Sequence, residues 1–197
     1  MGRWEPDARG RLLKAAFELY GERGFDQTTV AEIAQRAGLT ERTFFRHFAD
    51  KREVLFAGAG ALQDLLVSTV AKAPESMTPI EAAAAGVEAA GAAIQETGQL
   101  ARQRQAIVLT SAELRERELI KLSSLAAALA HTLRRRGVEE PEASLAAEAG
   151  MAVFRIAFER WVADAAPGDL PQLIRESLER LKAVTAGGRA VAAGRRE

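Results

Sequence analysis

Residues 29–51 read TVAEIAQRAGLTERTFFRHFADK, and no other stretch constrains the chain as strongly. Two short runs of helical periodicity meet there at a turn carrying Gly38. In the first run, over 30–37, Thr29 and Glu32 have the spacing of a capping box. Val30, Ile33, Ala34 and Ala37 recur on one face, the pattern of a buried stripe. The second run, over 41–48, is capped by Thr40. Upstream, Leu12, Leu13, Ala16, Phe17 and Tyr20 mark an amphipathic helix over about 7–22, with Gly24 just past its end. Three short helices in this order form a helix-turn-helix, whose main use is to lay its second helix in the major groove of DNA.

The third helix divides cleanly by face. At about 100° per residue, Phe44 and Phe48 share one side and are expected to pack on Ile33, Ala34 and Phe17. Arg42 and Arg46 point away from them, with Thr43 and His47 on one flank and Glu41 and Phe45 on the other. Guanidiniums read guanine edges, a carboxylate accepts from the cytosine amine, and a threonine meets a phosphate or a thymine methyl. Lys51, at the expected start of the next helix, can offer its ammonium and the free N–H groups to a phosphate. The plain alternative is a solvated helical hairpin, in which Glu41 serves only its own first turn and Arg46 is a surface residue.

Ala, Leu, Glu and Arg dominate the rest, and no segment alternates as a strand would. The expected fold is all-α with about nine helices: an N-terminal three-helix helix-turn-helix domain plus a C-terminal helical bundle. After the turn region, Asp50 and Glu53 have capping-box spacing and open a fourth helix that reaches Lys72. A fifth starts at Pro79 behind Thr78 and contains Gly86 and Gly91, which either permit close packing or leave room for a ligand. Further helices are expected over 99–110, 114–136, 141–165 and 170–186. This gives a DNA-binding domain at 1–52, a ligand-binding and dimerisation domain at 53–186, and a frayed tail at 187–197.

The 197-residue chain has no Cys, which excludes disulfides, thiolate metal sites and a cysteine nucleophile. With two His and no phosphate loop, paired metal ligands or nucleophile motif, nothing supports an enzyme, a metal or a cofactor. No apolar run spans a membrane and no signal segment opens the chain, so a cytoplasmic protein is expected. Net charge is zero. Residues 1–52 hold 10 Lys or Arg against 8 Asp or Glu, and the remainder 17 against 19. A local basic face suffices for nucleic acid.

The segment GFDQTTVAEIAQRAGLTERTFFRHFADKREVLF resembles the DNA-binding domain of the TetR family of transcriptional repressors. The matching features are the paired Thr28 and Thr29, buried Ile33 and Ala34, Gly38, Thr43, His47, Phe48 and Lys51. The resemblance covers about the first quarter of the chain. It implies a homodimer on a near-palindromic double-stranded operator, a small-molecule effector bound in the C-terminal bundle, and pairing of the last two long helices between subunits. By position it implies phosphate contacts for Thr29, Thr43 and Lys51, base contacts for Glu41 and Arg42, and a backbone or base contact for His47. Thr40 and Arg46 join these candidates. Phe45 departs from the family, which usually has Tyr there, and it cannot donate that phenol's hydrogen bond.

Candidate pocket residues are Leu66, Val87, Gly91, Ile94, Ile107, Phe154, Phe158 and Trp161, an apolar lining suited to a hydrophobic or amphipathic effector. His131 and Arg155 are possible polar anchors. Met151, Leu173, Leu178 and Leu181 are candidate dimer contacts. The expected protein is a ligand-responsive dimeric repressor. The alternative is a DNA-binding regulator with no small-molecule effector, constitutive or protein-signalled.

Overall fold

The computed structural model describes residues 7–164 and 168–186; the expected frayed tail at 187–197 lies outside them. The described residues form nine helices: α1 (Ala8–Arg23), α2 (Val30–Arg36), α3 (Glu41–His47), α4 (Ala59–Lys72), α5 (Pro79–Glu96), α6 (Gly98–Thr110), α7 (Ala112–Arg135), α8 (Glu142–Ala163) and α9 (Leu170–Thr185). They fall into two compact units. The first takes residues up to Ala61 and Gly98–Lys121, and the second takes Leu62–Thr97 and residues from Leu122 on. The first unit is thus larger than the 1–52 stretch read from sequence, because α6 and the start of α7 belong to it.

Local chemistry sets the ends of the first three helices. Asp7 caps α1, its carboxylate accepting from Gly10 N at 2.8 Å. Thr29 and Glu32 form the expected capping box: Thr29 Oγ1 accepts from Glu32 N at 3.3 Å, and Glu32 accepts from Thr29 N at 2.9 Å. Gly38 turns the chain between α2 and α3 at φ 66°, a conformation a side chain disfavours. Leu39 N then donates to Ala34 O at 2.8 Å, closing the end of α2. Thr40 caps α3 through Thr43 N at 3.2 Å.

The first unit's core gathers Leu12, Phe17, Leu19, Tyr20, Phe25, Ile33, Phe44, Phe48, Val54, Phe56, Ile107 and Leu114. Phe44 and Ile33 are fully buried. Exposed ion pairs brace α1 against α2: Arg36 reaches Glu22 at 2.8 Å and Arg23 reaches Glu32 at 2.6 Å. Such exposed pairs contribute little each, up to about 1 kcal/mol.

The segment after α3 differs from expectation. Asp50 does accept from Arg52 N at 2.8 Å and from Glu53 N at 3.1 Å. Glu53 does not complete a capping box. Its carboxylate takes Arg117 at 2.5 Å and Lys121 at 3.2 Å, both from α7. Two cations outweigh one backbone N–H as partners. Residues 51–58 form successive turns with i to i+3 bonds, such as Leu55 N to Arg52 O at 2.9 Å, and α4 begins only at Ala59. Burial works to raise the Glu53 pKa, but hydrogen bonds from Arg117 and Lys121 hold it below the usual carboxylate range. Arg52 bridges Asp50 and Glu113, both at 2.5 Å. Arg104 of α6 donates to Leu55 O at 3.1 Å and to Glu118 at 2.5 Å.

Lys51 locks this segment from the other side. Its ammonium donates to Phe25 O at 2.9 Å, Thr28 O at 2.9 Å and Asp26 O at 3.3 Å. It also lies 4.3 Å from the centre of the Phe25 ring. The Tyr20 hydroxyl donates to Lys51 O at 2.6 Å, and burial pushes that phenol's pKa well up.

In the second unit, α5, α8 and α9 pack on one another. Small residues let them approach. A Cβ on Gly91 would stand 2.5 Å from Ile174 Cδ1, and one on Gly150 3.1 Å from Ala83 Cβ. At Gly86 it would stand 2.7 Å from Val70 Cγ2 and 3.2 Å from Leu66 O. The Arg136 guanidinium caps the end of α4, donating to Ala73 O at 2.6 Å, Pro74 O at 2.9 Å and Val70 O at 3.1 Å. At the start of α5, Glu81 accepts from Thr78 N at 3.1 Å. Among the described residues, no helix is long and apolar enough to cross a membrane.

Two substitutions probe these contacts. Gly86→Ala gains helix propensity of about 1 kcal/mol, yet a stiff valine and a backbone carbonyl block its methyl. Urea unfolding should therefore show a net loss of about 1–3 kcal/mol, and an equally or more stable variant contradicts close packing here. Lys51→Met keeps the length of the stem and removes the ammonium. Stranding the Phe25 and Thr28 carbonyls should lower stability by about 1–3 kcal/mol, seen as a lower thermal midpoint. An unchanged midpoint means those contacts carry no weight.

Candidate nucleic-acid interface

The division of α3 into two faces results from its packing. Phe44 lies against Phe48 with ring centroids 5.5 Å apart, and both are buried. A helix held by those two side chains must turn the opposite side outward. Glu41, Arg42, Phe45 and Arg46 are exposed, while Thr43 and His47 are half-buried. Among the described residues, no ion pair or side-chain hydrogen bond engages Arg42 or Arg46. Two free guanidiniums one turn apart form a cationic edge on a rod narrow enough for a major groove.

Three hydroxyls stand at the starts of α2 and α3. Thr40 Oγ1 and Thr43 Oγ1 lie 3.1 Å apart at the start of α3, so one of them donates to the other. Thr29 Oγ1 donates to Glu32 at 2.9 Å at the start of α2. His47 keeps its Nε2 buried and without a hydrogen-bond partner. Lys51 stands apart from the other candidates: three carbonyls already take its ammonium, so in this conformation it organises the turn region. Sequence periodicity has no means of showing this, because the partner carbonyls lie 23 to 26 residues away.

The pocket candidates do not come together as one group. Ile107 is part of the first unit's core, beside Val108 and Leu114, and does not line the second unit. Leu66, Val87 and Trp161 are buried in the second unit, and Ile94, Phe154 and Phe158 are half-buried there. Phe154 stacks on Phe158 at 5.8 Å, and Phe158 packs on Trp161 at 5.9 Å. Ile174 fills the space beside Gly91, so this glycine serves close helix packing. His131 and Arg155 are exposed, and Arg155 lies 3.7 Å from Glu159. Among the described residues, no group of His, Cys, Asp or Glu is arranged to hold a metal.

Of the dimer candidates, Met151 and Leu178 are buried within their own unit, and Leu173 and Leu181 are half-buried. The apolar side chains that α8 and α9 turn outward are Leu145 at 67% exposure, Ile156 at 48% and Val184 at 77%. A search for stripes of large apolar residues misses them. Leu145 and Ile156 lie opposite the buried Ala143, Ala147, Gly150 and Ala157, and the signal that finds them is this run of small residues at helical spacing.

Comparison with known proteins agrees with this anatomy. The family model for bacterial regulatory proteins of the tetR family matches residues 12–57, and that for the MftR C-terminal domain matches residues 77–186. The chain is 35% identical to the transcriptional regulator TcmR of Streptomyces glaucescens over 74 residues, 38% of this chain and 33% of TcmR. It is 38% identical to the transcriptional activator FasR of Mycolicibacterium smegmatis over 72 residues, 36% of this chain and 33% of FasR. The matched stretch thus spans about a third of each of these curated relatives. Among solved structures, the regulator FadR of Bacillus subtilis, in complex with stearoyl-CoA, is similar with a TM-score of 0.62. That likeness covers 87% of this chain and 96% of FadR at 22% identity, a likeness of fold alone. The chain belongs to the TetR family of bacterial regulatory proteins.

Proposed function

We propose that the chain is a dimeric, effector-responsive transcriptional repressor that reads a near-palindromic operator with α3. One observation carries this reading: burial of Phe44 and Phe48 leaves Arg42 and Arg46 exposed and unpaired on the opposite face. In the groove, Arg42 and Glu41 address base edges, and Thr29, Thr40, Thr43 and His47 address the sugar-phosphate backbone. Lys51 acts at one remove, by fixing the turn region that carries α3. Two copies of the chain join through the outward apolar side chains of α8 and α9, Leu145, Ile156 and Val184, with Leu173 and Leu181 beside them. Twofold symmetry then matches two half-sites about 34–36 Å apart.

The effector is hydrophobic or amphipathic. FadR was captured with stearoyl-CoA, so a long-chain acyl-CoA is the first probe. Leu66, Val87 and Trp161 are packed as core in the conformation described, so a ligand lodging among them has to open that packing. A ligand that favours the opened arrangement shifts the population away from DNA. α4 and α7 each carry residues of both units and are the covalent route for that shift. The close packing at Gly86 and Gly91 favours a second reading, a regulator that takes no small molecule.

Binding to a duplex selected from genomic fragments tests both halves. Arg42→Ala should lose about tenfold to a hundredfold in affinity and relax the preference at one base pair. Wild-type affinity and preference in that variant sink the docking of α3. Stearoyl-CoA at saturation should weaken binding by the wild-type protein. Equal affinities with and without it favour the second reading, at least for this ligand class.

A further inference from the structure

Phe45 is the one large apolar side chain left exposed among the described residues up to Ala61. It is 55% exposed, on the same face of α3 as Glu41 and next to Arg42 and Arg46. Its ring meets the fully buried Phe44 edge-on, with centroids 5.5 Å apart and an interplanar angle of 83°. This edge-on contact to a buried neighbour favours projection of the ring from the outward side of α3. If α3 enters the major groove as proposed above, a ring on this side of the helix, beside Glu41, Arg42 and Arg46, faces the base edges.

The chemistry of the ring narrows the partner. A phenyl group has no donor, so a phosphate oxygen is a poor match. In the major groove the apolar group presented by a base edge is the thymine C5-methyl. We propose that Phe45 is a specificity-determining residue that selects thymine at one position of each half-site by burying its methyl group. This rests on the DNA-binding reading above. The preference it confers is unlike that of its neighbours. Arg42 and Glu41 select by hydrogen bonds, whereas Phe45 distinguishes thymine from uracil, two bases with identical hydrogen-bonding edges.

That distinction supplies the test. The full-length protein is used to select sites from a randomised duplex DNA library. Each thymine of the enriched duplex is then replaced, one at a time, by deoxyuridine. At one thymine per half-site, loss of the methyl should weaken binding by about fourfold, the worth of one buried carbon. Phe45→Ala should bind thymine and deoxyuridine duplexes equally at that position, and selection with it should no longer enrich thymine there. The scan uses the unchanged protein, so it does not depend on how the variant folds. If every deoxyuridine duplex binds as well as its parent, the inference falls, and the ring packs on sugar or acts as a spacer. If the library yields no enriched duplex even at low salt, the DNA-binding reading itself falls and takes this inference with it.

Discussion

The burial of Phe44 is the contact on which the rest of the first unit depends. It sits with no exposure at the meeting point of α1, α2 and α3, in one core with Leu12, Phe17 and Ile33. Burying a side chain of this size stabilises by roughly 2–3 kcal/mol. A seven-residue helix such as α3 is far too short to persist by propensity alone. Its existence and its rotation about its own axis are both set by that one buried ring, with Phe48 a turn later. The outward placement of Arg42, Phe45 and Arg46 is therefore a consequence of core packing, not an independent feature.

A second layer of polar contacts fixes the segment after α3. Lys51 is gripped by three carbonyls of the loop before α2, and Tyr20 holds the Lys51 carbonyl. On the other side Glu53, Arg52 and Leu55 are tied to α6 and α7 through Arg117, Lys121, Glu113 and Arg104. Glu53, Arg104 and Glu118 are partly shielded from water, where charge-assisted bonds are worth more than exposed ones, whereas Arg52 and Glu113 pair at the surface. α7 continues from the first unit into the second, so these bonds tie the segment after α3 to a helix that both units share.

Much of this is legible in the chain, for local reasons. Thr29 with Glu32, Thr40, Gly38 and the Phe44–Phe48 spacing act within a few residues, and the structure uses each as its spacing implies. The illegible features depend on partners far along the chain. The spacing of Asp50 and Glu53 suggests a capping box, but cations 64 and 68 residues away claim Glu53. The three carbonyls that hold the Lys51 ammonium lie 23 to 26 residues away, beyond the reach of any local pattern. Hydrophobicity alone sends Ile107 to a pocket, and only tertiary structure places it in the first unit's core. Met151 and Leu178 satisfy an apolar stripe, yet alanines and glycines bring α5, α8 and α9 so close that both are consumed as core.

If α3 reads DNA as proposed, the face opposite Phe44 enters the major groove in pairs, one copy from each subunit. Footprinting the purified protein on fragments it selects from genomic DNA examines this pairing without any variant. The expected result is a protected near-palindrome whose half-sites lie about one helical turn apart, with contacts in the major groove at each. Protection of a single unpaired site, or no selective retention of DNA at low salt where the phosphate attraction is greatest, would contradict it.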